Sequence, residues 1–228
     1  MNERSFTQPC RRFVPVPHEL LSTQAARTTD GHDGPARGDE ILTLARHAFV
    51  EKGFDKASMQ DLARAAGMSA GNFYRYFPSK AAIVEALIAR DMAEIEEAFQ
   101  AIVASPDPVG GLKVALRQEL GKGCDKDEAL WAEIAAQAPR KPEIAALLGR
   151  MEDVIVLRVA QVLGRAAGIS DETAMDRFGD DARLVFIIMH GAMTSNLMRT
   201  ALADRLTDRV LRTIDRVLDE ALAESKES

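Results

Sequence analysis

Apolar residues follow no helical or strand period over residues 1–38, then recur with helical spacing almost to the end of the chain. The first stretch holds Pro9, Pro15, Pro17 and Pro35, with Gly31, Gly34 and Gly38 and five scattered arginines, Arg4, Arg11, Arg12, Arg27 and Arg37. Such a composition buries too little apolar surface to offset chain entropy, so residues 1–38 are expected to be a disordered arm. From Asp39 the pattern changes: Ile41, Leu44, Ala45, Ala48 and Phe49 fall on one helical face. Gly53 ends that helix. Ser58-Met59-Gln60-Asp61 has the capping-box form, a hydroxyl followed three residues later by an acid. Met59, Leu62, Ala63 and Ala66 then point inward, Gly67 supplies a left-handed turn, and Ser69 caps a further helix to about Phe77. Two short helices, about 58–66 and 69–77, joined by a turn on a glycine, make a helix-turn-helix.

Beyond Pro78 the chain reads as helix nearly throughout. Val84, Leu87, Ile88, Met92, Ile95, Phe99 and Ile102 form one long stripe over residues 80–104. Further helices are expected at about 108–120, 126–138, 142–167, 173–201 and 204–224, separated by Pro- and Gly-bearing breaks. No segment alternates with period two, so the fold class is all-α: an N-terminal three-helix unit over 39–85 and a helical body over 86–228.

Composition changes this picture little. The 228 residues are 46% hydrophobic, 28% charged and only 5% aromatic, which suits a globular helical protein. Two cysteines, Cys10 and Cys124, build no disulfide framework, and no signal-like or membrane-spanning apolar run is present; a cytoplasmic location is expected. The net charge of −6 is unevenly spread. Residues 1–81 carry 11 Lys and Arg against 9 Asp and Glu, while residues 82–228 carry 18 against 26. The mildly positive segment is the helix-turn-helix end, and the acidic body repels polyanions.

The residues in the first unit follow a known order. Ile41-Leu42-x-x-Ala45-x-x-x-Phe49-x-x-x-Gly53-Phe54 leads to Ser58-x-x-Asp61-Leu62-Ala63 and then Ala66-Gly67-Met68-Ser69-x-Gly71-x-Phe73-Tyr74-x-Tyr76-Phe77-x-Ser79-Lys80. This closely resembles the DNA-binding domain of the tetracycline-repressor (TetR) family of bacterial regulators. The resemblance covers about residues 39–85; the rest has no recognisable motif, and in the family it is a variable ligand-binding and dimerisation domain. Helix 69–77 is then the recognition helix in the major groove of double-stranded DNA. Ser69, Ala70 and Gly71 are small enough for close approach. Asn72 can pair bidentately with adenine, and Arg75 can reach guanine or phosphate. The resemblance places Tyr74 and Tyr76 against the DNA backbone, Lys80 and Ser58 on phosphates, and Gln60 on a base. Simple helix capping also accounts for Ser58, Ser69 and Ser79, and Phe73 and Phe77 are expected inside.

In the body, Ala182 to Met193 is apolar nearly all round, and Leu206, Val210, Ile214, Val217, Leu218 and Leu222 form a stripe on the next helix. A helix apolar on every side needs cover on every side. Helices about 173–201 and 204–224 are therefore expected to pair with those of a second copy in a four-helix bundle, as the family does. Trp131, Met151, Phe186, Met189, His190 and Met193, with Asn196, are the residues expected to line a small-molecule effector pocket, against the plainer reading of core, with His190 buried. The function implied is a ligand-responsive homodimeric regulator, a repressor, on a palindromic operator. The alternative is a helical protein-binding adaptor without sequence-specific DNA binding. Four scattered histidines, no phosphate loop and no nucleophile constellation argue against an enzyme, a metal or a cofactor.

Overall fold

The computed structural model describes residues 35–121, 126–195 and 203–227, and among them it consists of α-helices without strands. The helices are α1 (Pro35–Lys52), α2 (Met59–Ala65), α3 (Ala70–Tyr76), α4 (Lys80–Ala104), α5 (Pro108–Gly121), α6 (Lys126–Ala135), α7 (Pro142–Ala167), α8 (Asp171–Thr194) and α9 (Ala203–Glu227). Boundaries set by Ser58, Ser69 and Ser79 fall where the sequence places them. Ser58, Ser69, Ser79 and Ser170 each accept a backbone N–H three residues on, satisfying a donor that the first helical turn leaves free.

Two boundaries differ from expectation. The arm does not extend to residue 38, because α1 begins at Pro35. Proline is well tolerated at a helix's first position, where its missing N–H has no partner to lose. The arm's remaining residues, 1–34, lie outside the described residues. Helix α8 runs 171–194 rather than 173–201: the Ser170 cap starts it two residues earlier, and Ser195 at φ −79°, ψ 125° leaves the helical region. Cys10, Cys124 and Asn196 also lie outside the described residues.

The core falls into two clusters. The lower one gathers Ile41, Phe49, Phe54, Leu62, Phe73, Phe77, Ile83 and Leu87 from α1–α4 and the loops between them. It also takes Leu130 and Ile134 from α6 and Ile144 and Leu147 from α7. The upper one joins Phe99, Leu112, Val156, Val159 and Leu163 to Phe178, Val185, Leu211, Ile214 and Leu218. Ile95, near the middle of α4, touches both. Helix α4, about 37 Å long at 1.5 Å per residue, thus runs unbroken from one cluster to the other. Packing shows no break at residue 85, since the lower cluster needs side chains from both sides of that position.

One charged pair is buried between these layers. Glu96 on α4 is 3% exposed and forms an ion pair with Arg158 on α7. Neither Glu96 Oε2 nor Arg158 Nε has a further hydrogen-bond partner. Glu96 Oε1 accepts from Gln100 at 3.1 Å, and Arg158 donates to Gln161 at 2.7 Å. Gln161 passes the chain on to Asp171 at the start of α8. Removing either charge would strand the other in an apolar layer, which costs more than the pair itself contributes.

On α9 the buried face is Leu211, Ile214, Leu218 and Ala221. The expected stripe is turned slightly, with Leu206, Val210, Val217 and Leu222 half-buried along its edges. Two ion pairs, Lys113–Asp219 at 2.6 Å and Arg117–Asp215 at 3.4 Å, fasten α9 to α5. On α8, Leu184 and Ile187 are 43% and 57% exposed, so one side of this apolar segment is uncovered in the single chain.

Candidate nucleic-acid interface

Helix α2 starts with the capping box foreseen from the sequence. Ser58 Oγ accepts from the Asp61 amide at 3.1 Å, and the Ser58 amide donates to Asp61 Oδ2 at 3.0 Å. The Ser58 hydroxyl also donates to Asp61 Oδ2 at 2.6 Å. Lys52, with Ser58 next in effect, holds the Asp61 carboxyl well below the usual carboxylate range. The Ser58 hydroxyl hydrogen is thereby committed within the protein, so capping accounts for this residue. Leu62 and Ala63 are buried, Gln60 is exposed, and Gly67 turns the chain at φ +65°, where a side chain would be strained.

Helix α3 is short enough that one buried residue fixes its orientation. Phe73 is fully buried and stacks in a tilted pair with Phe77, its ring centroid 5.8 Å away. Residues three or four positions from Phe73 share its face, so Ala70 and Tyr76 are half-buried and Tyr76 packs on the lower cluster. The opposite face then carries Gly71, Asn72, Tyr74 and Arg75, all exposed, with Tyr74 at 47%. Ser69 is exposed and uses its oxygen as a cap acceptor at 3.3 Å from the Asn72 amide, which leaves its hydroxyl hydrogen to donate. The structure therefore brings Ser69, Gly71, Asn72, Tyr74 and Arg75 together on one outward surface, with Gln60 exposed on α2.

Lys80 has a different occupation from the one the sequence suggests. Its ammonium donates to the carbonyls of Phe54 at 2.7 Å and Asp55 at 2.9 Å. It also sits 5.3 Å from the centre of the Phe54 ring. Burial, followed by the nearby Lys141 ammonium, pushes Lys80 below the usual lysine value. Two of its three N–H donors tie the start of α4 to the loop between α1 and α2. The tie spans 26 residues, so no local sequence pattern announces it. The lower module gains a second fastening where Arg46 on α1 donates to both carboxylate oxygens of Asp91 on α4, at 2.8 and 3.1 Å.

The residues expected around an effector are not assembled as one lining. Trp131 and Met151 pack on the lower cluster, whereas Met189 belongs to the upper cluster and Phe186 and Met193 pack against it. His190 is exposed, not buried, and stacks on Phe186 at 5.7 Å between ring centres. It lies three residues beyond Ile187, on the uncovered side of α8 that a count of apolar neighbours in sequence does not reveal. Among the described residues no cluster of His, Cys, Asp and Glu could hold a metal ion, and no helix is long and apolar enough to cross a membrane.

Two short helices around a glycine turn, the second presenting a polar face away from its own core, beneath an all-helical body, define a helix-turn-helix protein. Residues 41–87 match the family model described as bacterial regulatory proteins, tetR family. The HTH-type transcriptional regulator UidR of Escherichia coli is 32% identical over 125 residues, covering 53% of this chain and 61% of that protein. The match thus spans less than two thirds of that relative's length. Among solved structures, Salmonella enterica GusR aligns with a TM-score of 0.60 at 23% identity, over 81% of this chain and 96% of its own. A TetR transcription regulator from Haloarcula marismortui aligns with a TM-score of 0.64 at 20% identity, over 81% of this chain and 97% of its own. The likeness to the tetR family thus rests on residues 41–87, and beyond them on a shared all-helical fold.

Proposed function

We propose that this protein is a homodimeric DNA-binding regulator, acting in the cytoplasm as a repressor and released from its operator by a small molecule. The observation that carries the reading is the outward face of α3. Asn72, Tyr74 and Arg75 are exposed there because Phe73 holds the opposite face in the core. A short helix with free hydrogen-bonding side chains at its exposed end fits the width of the major groove. In this reading Asn72 reads a base, Ser69, Ala70 and Gly71 allow close approach, and Arg75 and Tyr74 meet a base edge or the backbone. Gln60 supports from α2, Tyr76 acts through its position on the core, and Lys80 through the loop it holds.

The segment up to residue 81, with 11 Lys and Arg against 9 Asp and Glu, binds DNA weakly alone, and two copies on one rigid body multiply the affinity without new contacts. The uncovered α8 surface at Leu184 and Ile187 supports pairing of two chains through α8 and α9. The operator is then a palindrome with half-sites about 34–36 Å apart or a multiple of that. An effector acts by favouring a body conformation that spaces the two α3 helices badly. Its binding residues are sought first among Phe186, Met189 and Met193 in the upper cluster, and Trp131 and Met151 in the lower.

Selection of bound duplexes from a random pool tests this directly. A recovered two-fold symmetric sequence, bound with affinity that falls steeply with salt, is the expected result. Recovery of no sequence, with salt-insensitive binding to protein partners alone, would favour an adaptor.

A further inference from the structure

The loop between α1 and α2 is held by more of the molecule than its own module. Gly53 ends α1 at φ +82°, a left-handed backbone conformation that favours glycine. The next amide, Phe54 N–H, donates to Glu133 Oε2 on α6 at 2.6 Å. A Cβ at position 53 would lie 3.3 Å from the same carboxylate oxygen, so the close approach itself uses the glycine. The Phe54 carbonyl accepts from Lys80 of α4 at 2.7 Å. Its ring, 1% exposed, lies between the ammoniums of Lys80 and Lys141, 5.3 and 5.6 Å from the ring centre. Lys141, just before α7, also faces Asp55 at 3.7 Å. Glu133 and Lys141 are joined by a tight turn in which Lys141 N–H bonds Gln137 O at 2.9 Å, so they move as one piece of the body.

We propose that Glu133 is a positioning residue for DNA recognition, closing a clasp that fixes the angle of the helix-turn-helix unit relative to the body. This rests on the DNA-binding reading above. Helix α4 and the apolar contacts of Leu130, Ile134, Ile144 and Leu147 with the lower cluster hold the unit against the body, and apolar contact is non-directional. The Glu133–Phe54 bond adds a directional attachment 79 residues away in sequence. A directional bond fixes an angle that apolar contact alone leaves loose. In a dimer the orientation of each unit sets the distance between the two α3 helices, so the clasp governs tolerance to operator spacing rather than reading of a half-site.

The test compares full-length Glu133→Ala, Glu133→Gln and the native chain on the selected operator. It adds the same operator with one base pair inserted at its centre, and a single half-site. Glu133→Ala is expected to bind the operator about ten-fold more weakly, the scale of one charge-assisted hydrogen bond. It should lose most of the native discrimination against the inserted base pair while half-site affinity stays native. Glu133→Gln keeps an acceptor oxygen and should restore discrimination. Hydrogen exchange of the Phe54 amide should quicken in the alanine variant and recover in the glutamine one. Native spacing discrimination in Glu133→Ala, or an equal loss on the half-site, overturns the proposal. Failure of the native chain to bind any duplex overturns the DNA-binding reading instead, a result the native arm alone reveals.

Discussion

The two ends of the molecule solve the same burial problem and leave opposite surfaces behind. At the lower end, Phe49, Phe54, Phe73 and Phe77 are buried, and what remains outside on α3 is Gly71, Asn72, Arg75 and the hydroxyl-bearing Tyr74. At the upper end the core is largely aliphatic, and the outside of α8 still shows Leu184 and Ile187. A surface of unspent donors suits a partner rich in acceptors, such as a duplex. A surface of uncovered methyl groups suits another protein surface of the same kind. The charge balance agrees, since the segment up to residue 81 is mildly basic and the remainder acidic.

Four experiments can break or sharpen that contrast. The largest effect is expected from Phe73→Ala, which removes a fully buried ring from the lower cluster at a cost of about 3–5 kcal/mol. Urea denaturation should register the loss, and hydrogen exchange should show α2 and α3 opening together. Phe178→Ala, of similar size in the upper cluster, should leave protection of α2 and α3 in place; equal opening in both variants would mean the clusters are energetically one. Next is Ile187→Glu, which puts a charge on the exposed apolar side of α8. Sedimentation should show dimer association weakened by about 3 kcal/mol, or roughly 100-fold. An unchanged sedimentation profile would remove the upper surface from the pairing role.

Smaller still is Asn72→Ala, expected to relax preference at one base position by about 1–3 kcal/mol in a competition assay. Its companion, Lys80→Ala, separates two roles for that lysine. Loss of the carbonyl ties should lower the melting temperature with the salt dependence of DNA binding unchanged. Loss of a phosphate contact would instead reduce the salt slope by about one. The smallest effect concerns Asp181 on α8, whose carboxyl is pushed up by burial first and then by Glu224 and Asp180. The folded chain therefore keeps this proton where the unfolded chain has lost it, and stability falls as pH rises through the folded value. Asp181→Asn should melt higher than the native chain at neutral pH. The advantage should shrink as pH drops toward about 4, where the unfolded carboxyl also protonates.

Helix positions were legible because their signals are local. Ser58, Ser69 and Ser79 stand at the ends they cap, and the 3.6-residue period sorts Phe73 from Asn72 without any knowledge of neighbours. What escaped was whatever depends on a distant segment. Nothing near Lys80 says that the Phe54 and Asp55 carbonyls lie within reach, and nothing near Glu133 points to the Phe54 amide. His190 sits among apolar residues in the sequence yet faces outward, because on a long helix the side that is covered is decided by α7 and α9. Trp131 and Met193 share a composition that suits a pocket, but they lie against different clusters. Pro35 and Gly38 suggested a broken chain where a helix in fact begins.

The buried pair of Glu96 and Arg158 limits how any message can travel along α4. Sliding this helix by a turn past α7 would pull two opposite charges apart inside hydrocarbon, whereas tilting it leaves them together. The pair lies roughly two thirds of the way along α4 from Lys80, so a tilt about it would swing the Lys80 end opposite to the Ala104 end and, on the longer arm, farther.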